Sequence, residues 1–296
     1  MPVRAVRLMS QLNPSTINPK SKPHMKPFHL LTAGLALTAG MASCTGTAQS
    51  ENRLAGDTLK VTATDTIHHW VCSTDIKAFY PRTTSSPLAQ NIREWMSEQT
   101  GGRFEGSLDN GQALLDSAAQ QWKTDCRDML KDMPSLDRPS ASAQMAQEIT
   151  LLPLYETDRF ITYGATHYQF TGGAHGMQAL TGTTFRKTDG RRFGWEMFRT
   201  DAQPKLQEEI RKGLMTYFHV TTDEALQEML FEQESPILPL PVTPPYLTRE
   251  GVTFVYQSYE IAPYAAGQPT VTLPYAQALP LMTTTARQLV EPQAKP

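Results

Sequence analysis

Hydrophobic and polar positions alternate from Thr58 to Tyr80, with Leu59, Val61 and Ala63 on one side and a run rich in β-formers from Ile67 to Phe79. A period of two sends successive side chains to opposite faces, so this stretch predicts strands. The period then changes. Ile92, Trp95 and Met96 share one face of a short helix predicted over Asn91 to Thr100 and stopped by Gly101-Gly102. Leu114, Leu115, Ala118, Trp122, Cys126, Met129 and Leu130 recur at three- and four-residue spacing. That is the apolar stripe of a longer helix within Leu108 to Met133, which Pro134 ends.

Alternation returns in the second half. Leu151 to Tyr155 and Phe160 to Phe170 predict strands, the latter with Phe160, Thr162, Gly164, Thr166, Tyr168 and Phe170 on one face. Met177 to Lys187 predicts another, and Asp189-Gly190 signals a hairpin leading back through Arg191 to Trp195. Ala202 to Phe218 is amphipathic, with Leu206, Ile210, Leu214, Tyr217 and Phe218 inward. Thr222 caps a further helix to about Phe231, with Asp223 and Glu224 at its positive end. Five prolines between Pro236 and Pro245 forbid regular structure there. Val252 to Tyr259 and Thr270 to Leu273 predict strands, and the tail from Ala276 is weakly helical. Strands with helices set between them, without strict βαβ order, predict an α+β fold of antiparallel sheets with packed helices. The expected subdomains are 58–148 and 149–296, with Pro134 to Ser142 as the joint.

The first 43 residues read differently. Arg4, Arg7, Lys20, Lys22 and Lys26 are basic, no acid precedes Glu51, and the apolar run Leu30 to Met41 is about a dozen residues long. That run is too short to span a bilayer. With Met41-Ala-Ser-Cys44 after it, residues 1–43 describe a secretory signal peptide ending in a bacterial lipobox. Cys44 is the expected lipidation site and residues 44–57 the tether. Met25-Lys26-Pro27-Phe28 would itself be a normal signal start, which makes residues 1–24 a candidate upstream misassignment. The expected location is the bacterial envelope, at the outer membrane and facing the periplasm or the surface. The lipid would be the only attachment to the membrane.

Removing residues 1–43 takes away those five basic residues and no acidic one, moving the formal charge from −2 to −7. That argues against nucleic acid or an anionic lipid surface as the main partner. It leaves Cys72 and Cys126, an even pair that predicts a disulfide in an oxidising compartment, with two buried thiols as the alternative.

Two segments carry candidate chemistry. In Thr171-Gly-Gly-Ala-His-Gly176 the glycines permit left-handed backbone and close approach, and successive N–H groups there can form an anion-binding nest. Gly172, Gly173 and His175 are candidate ligand contacts, or else a tight turn whose histidine satisfies a carbonyl. In Tyr259-Glu-Ile-Ala-Pro-Tyr264 a carboxylate stands between two aromatics. Glu260 reads as a general base, as the group orienting His175, or as a cap on its own turn. Tyr259 and Tyr264 complete the candidate patch. Other chemistry is poorly signalled. His68-His69 are expected in a strand, pointing apart, and His-Glu-x-x-His, Gly-x-Ser-x-Gly and a phosphate loop are all missing. No metal or cofactor is expected.

The stretch Tyr168-x-Phe-Thr-Gly-Gly-Ala-His-Gly176, followed by Asp189-Gly190 and Trp195-Glu-Met-Phe198, resembles the domain of unknown function 3298. So does Phe254-x-Tyr-x-x-Tyr-Glu-Ile-Ala-Pro-Tyr-Ala-Ala-Gly267 with Val271-Thr-Leu-Pro-Tyr275. The resemblance covers about residues 150–282. Residues 58–148 more weakly resemble the companion domain 4163. This pair is similar to the ectodomain of lysozyme-sensing anti-sigma factors (RsiV-like), and it also accompanies some peptidoglycan deacetylases. The resemblance implies a binding module for a cell-wall glycan or for a wall-active protein such as lysozyme. Unlike the sensors, this chain shows a lipid-anchor signal in place of a transmembrane helix, and no sigma-binding segment. A peptidoglycan or glycan hydrolase using Glu260 and His175 is the alternative.

Overall fold

The computed structural model describes residues 53–82, 85–131, 143–232 and 238–291. The expected signal peptide, Cys44 and the Pro134 to Ser142 joint lie outside these.

The chain opens with a long hairpin, β1 (Gly56–Ile67) and β2 (Trp70–Pro81). Two helices follow, α1 (Pro87–Gln99) and α2 (Gly111–Lys131), before β3 (Gln144–Glu156) returns parallel to β2. β4 (Phe160–Phe170), β5 (Met177–Arg186) and the two-residue β6 (Arg192–Phe193) then add in antiparallel order, giving a six-stranded sheet β1-β2-β3-β4-β5-β6. A second sheet consists of β7 (Tyr246–Leu247), β8 (Gly251–Val255) and β9 (Thr270–Pro274). Helices α3 (Gln203–Tyr217) and α4 (Asp223–Met229) precede it; α5 (Tyr275–Ala278) and α6 (Thr284–Val290) follow.

The fold is α+β, as expected, and it has two sheets. Among the described residues, the parallel β2–β3 pair is the one departure from antiparallel order, and it has a consequence. The first sheet runs without a break through the expected 148/149 boundary, which falls inside β3. The fold also begins earlier than Thr58. The Leu54 N–H donates to Glu156, and Gly56 is already in β1.

Each sheet has its own core. Under the first, Leu88, Ile92, Trp95 and Met96 of α1 and Leu114 and Leu115 of α2 pack on Ile76, Ile149, Leu151, Ile161, Tyr163 and Phe185. Each such side chain contributes roughly 1.5–3 kcal/mol by leaving water. Around the second, Leu206, Ile210 and Leu214 of α3 meet Val252, Phe254, Val271 and Leu273. The start of β4 serves both cores. Ile161 and Tyr163 face the helices, while Phe160 joins the second core. Thr162 and Thr184 share a buried 2.8 Å hydrogen bond, and the Leu247 N–H donates to Thr184 at 2.9 Å.

Register fixes which turns are neighbours. Thr66 pairs with Val71, Val71 with Gln144, and Ala146 with Phe170. The β1–β2 turn, the start of β3 and the β4–β5 turn therefore share one end of the sheet. His68 and His69 form the β1–β2 turn, with His68 at φ 55°, so the expectation that they occupy a strand is corrected.

Candidate functional site

The β4–β5 turn is built by glycine. Gly172 and Gly173 hold φ of 96° and 98°, where any side chain is strained. Gly176 is needed for a different reason. A Cβ there would lie 2.4 Å from the Tyr168 ring. Beneath the turn, the Trp70 ring comes within 3.5 Å of where a Gly172 Cβ would sit.

His175 is thereby held out at the rim, where it is exposed. Its ring lies on Tyr264, with centroids 3.8 Å apart and planes 16° apart. The Tyr259 ring stands 5.7 Å from Tyr264. His175 Nδ1 is 3.1 Å from the Gly176 carbonyl, and Nε2 is 3.3 Å from the Tyr259 hydroxyl. A neutral imidazole with its proton on Nδ1 satisfies both contacts, donating to the carbonyl and accepting from the phenol. The Tyr264 hydroxyl donates to the same Gly176 carbonyl at 2.9 Å.

The second segment is equally constrained. Tyr259 adopts φ 66°, a conformation that costs a bulky residue on the order of 1–3 kcal/mol. The kink keeps its ring 39% exposed rather than folded into the core. Tyr264 opens a short 3₁₀ turn, Tyr264–Ala266, pinned where the Tyr217 hydroxyl donates to Ala266 O at 2.8 Å. Gly267 closes that turn at φ 71°.

Glu260 stands apart from this group. One carboxylate oxygen accepts from Val242 N–H at 2.6 Å and the other from Gln257 N–H at 2.7 Å. Burial raises its pKa, and the two N–H donors counter that only in part. Its oxygens close its own turn, and among the described residues no hydrogen bond joins it to His175. The structure thus gathers His175, Tyr259, Tyr264 and the glycine turn, and it gives Glu260 a separate task.

Two glutamines that the sequence reading passed over seat one segment on the other. Gln257 accepts from Leu180 N–H at 3.0 Å and donates to Leu180 O at 2.7 Å, pairing with β5 as a neighbouring strand would. Gln268 donates to Gln178 O at 3.1 Å and to Gln257 Oε1 at 3.0 Å. An amide directly after the apolar run Val252–Tyr256 was the available signal.

The patch is a group of three neighbouring rings. The surface depressions at Lys205, Gln277 and Leu281 and at Gln90, Arg93 and Asp109 lie elsewhere. Among the described residues, no three His, Cys, Asp or Glu side chains are grouped to hold a metal ion, and no helix is long and apolar enough to cross a membrane. Cys72 and Cys126 are buried thiols in one cluster with Trp70, Trp122 and Met145. Burial raises the pKa of both.

Residues 196–276 match the family described as Protein of unknown function (DUF3298). The matched span contains Tyr259, Glu260 and Tyr264; His175 lies before it. No curated protein matches the chain. Among solved structures, the chain is similar to a member of the DUF3298 family from Bacteroides fragilis NCTC 9343. The TM-score is 0.64 and the identity 20%, over 81% of this chain and 99% of that one. It is also similar to a DUF3298 family protein from Pseudomonas aeruginosa PAO1, with a TM-score of 0.51 and 18% identity over 78% and 96% of the two chains. At these identities the likeness is one of fold.

Proposed function

We propose that this chain is an envelope lipoprotein, anchored through Cys44, whose His175–Tyr259–Tyr264 ring group binds a cell-wall glycan. The observation that carries the reading is the ring stack itself. Three rings on two segments are held at the surface by hydrogen bonds and by the left-handed backbone of Tyr259. Aromatic faces take the C–H face of a hexopyranose well, because a sugar ring is apolar above and below and polar at its edge. Rings already fixed lose little entropy on binding.

A second reading, in which the partner is a wall-active protein such as lysozyme, draws on the −7 formal charge of the processed chain. It draws also on the likeness of residues 58–148 to the domain 4163 of RsiV-like sensors. The hydrolase alternative loses support, because both Glu260 oxygens are taken by backbone N–H groups. Calorimetric titration with muropeptides, beside a lysozyme pulldown, separates the readings. Muropeptide binding that is lost in Tyr264→Ala supports the glycan, capture of lysozyme alone supports the protein partner, and silence in both defeats the proposal.

A further inference from the structure

The glycine turn that carries His175 rests on the smallest of the three core clusters. This cluster fills the end of the first sheet where the β1–β2 turn, the start of β3 and the β4–β5 turn meet. Trp70 and Cys72 lie on one face of β2, and Cys72 is directly paired with Met145 of β3. Trp122 and Cys126, one helical turn apart in the C-terminal half of α2, complete the packing. Trp70 belongs to both structures. It is a member of the cluster, and its ring comes within 3.5 Å of where a Gly172 Cβ would sit.

The cluster is weakly built. Among the described residues, neither the Trp70 nor the Trp122 indole N–H has a hydrogen-bond acceptor, although both rings are buried. A buried donor left unpaired costs stability. Regions with few buried apolar contacts open locally, without unfolding of the whole molecule. The turn above is also short of packing. Gly172 and Gly173 hold left-handed backbone, and no atom lies within 4 Å of a Gly173 Cβ position. A covalent tie inside this cluster therefore acts where the fold opens most readily, directly beneath the turn.

Cys72 and Cys126 supply such a tie, one from β2 and one from α2. We propose that the redox state of this pair controls the order of the turn of Gly172, Gly173 and His175, with Trp70 as the coupling residue. The disulfide holds β2 and α2 together under the turn; the two thiols let the cluster open and the Trp70 ring leave Gly172. The chemistry is thiol–disulfide exchange with a small external disulfide. The protein S–S bond forms as the two thiols give up two protons and two electrons, and the external S–S bond breaks to give two thiols. A turn already ordered costs a ligand less entropy, so the oxidised form presents His175 ready-placed. That last consequence rests on the ligand site proposed above; control of the turn does not.

Hydrogen exchange read by mass spectrometry tests the proposal on the full chain. One sample is oxidised with glutathione disulfide and another is kept reduced with a phosphine. Alkylation after denaturation confirms the state of the pair in each. Amides of residues 171–176 are expected to exchange several-fold more slowly in the oxidised protein, and those of the turn between β5 and β6, at the other end of the sheet, at an unchanged rate. Trp70→Leu should still form the bond and lose the difference at 171–176. Cys126→Ala, which serves if Trp70→Leu fails to fold, should exchange there like reduced wild type whether or not oxidant is present. Equal exchange at 171–176 in the two wild-type samples overturns the proposal. So does a pair that does not oxidise, a slowing shared equally by the β5–β6 turn, or a difference that persists in Trp70→Leu. None of these readings depends on muropeptide, so loss of the glycan reading leaves the proposal standing and the reverse also holds.

Discussion

Tyr264 lies flat on His175 and donates its hydroxyl to the carbonyl of the very next residue, Gly176. One side chain thus fixes both the ring and the backbone of a turn 88 residues away in sequence. The arrangement depends on a turn that only glycine supplies.

Gly173→Ala tests that dependence. Space is open around Gly173, so the substitution isolates backbone strain at φ 98°. A loss of about 1–2 kcal/mol in chemical denaturation is expected. Gly176→Ala, which drives a methyl group into the Tyr168 ring, is expected to cost more.

His167 makes stability depend on pH. It packs beneath the end of α1, with Nε2 3.2 Å from Gln99 Oε1, and burial lowers its pKa to about 4. In the unfolded chain the value is about 6.5. Below that pH the unfolded chain takes up a proton that the folded chain refuses. Stability is therefore full above pH 6.5 and falls as the pH drops toward 4, by roughly 2–3 kcal/mol. Denaturant midpoints across this range should show the fall, and His167→Gln should flatten it.

Cys72 and Cys126 are buried in the same small core cluster. Protein secreted into an oxidising compartment is expected to be two hydrogens lighter than its reduced form by intact mass. The bond would close a loop across 54 residues and contribute about 4 kcal/mol in the chain-entropy account. Recovery of two free thiols from denatured, unreduced protein would refute it.

Glu260→Gln separates a structural carboxylate from a catalytic one. The amide oxygen can accept from one of the two N–H groups, leaving the other facing an NH₂. A stability loss of about 1–3 kcal/mol is expected, with glycan affinity unchanged. Glycan turnover by the wild type that disappears in this variant would restore the hydrolase reading.

Much of the fold was legible because local pattern and tertiary structure agree. Phe160 to Phe170 was read as a strand with its observed bounds. The Asp189-Gly190 hairpin forms, and the Thr222 hydroxyl accepts from Ala225 N–H as the helix cap it was read to be. What escaped was long-range. Nothing in Gln144 to Glu156 announces a parallel partner 73 residues upstream, so the chain read as two halves where one sheet joins them. The strand expected through Tyr259 stops at Val255, because Gln257 turns its amide onto β5 and Tyr259 reverses its backbone. At the site the residue types were legible and their pairing was not. Glu260 reads as chemistry beside two tyrosines, yet the Val242 N–H that occupies it comes from the proline-rich loop.

The ring stack is the central claim, and Tyr264 tests it most directly. Muropeptide should be titrated calorimetrically into wild-type protein, Tyr264→Phe and Tyr264→Ala, with folding of each confirmed by its denaturation curve. Tyr264→Phe keeps the ring and loses one hydrogen bond worth about 1 kcal/mol, so it should bind nearly as well as wild type while unfolding more readily. Tyr264→Ala should stay folded and lose binding tenfold or more, about 1.4 kcal/mol. Undiminished muropeptide affinity in a folded Tyr264→Ala would contradict the account.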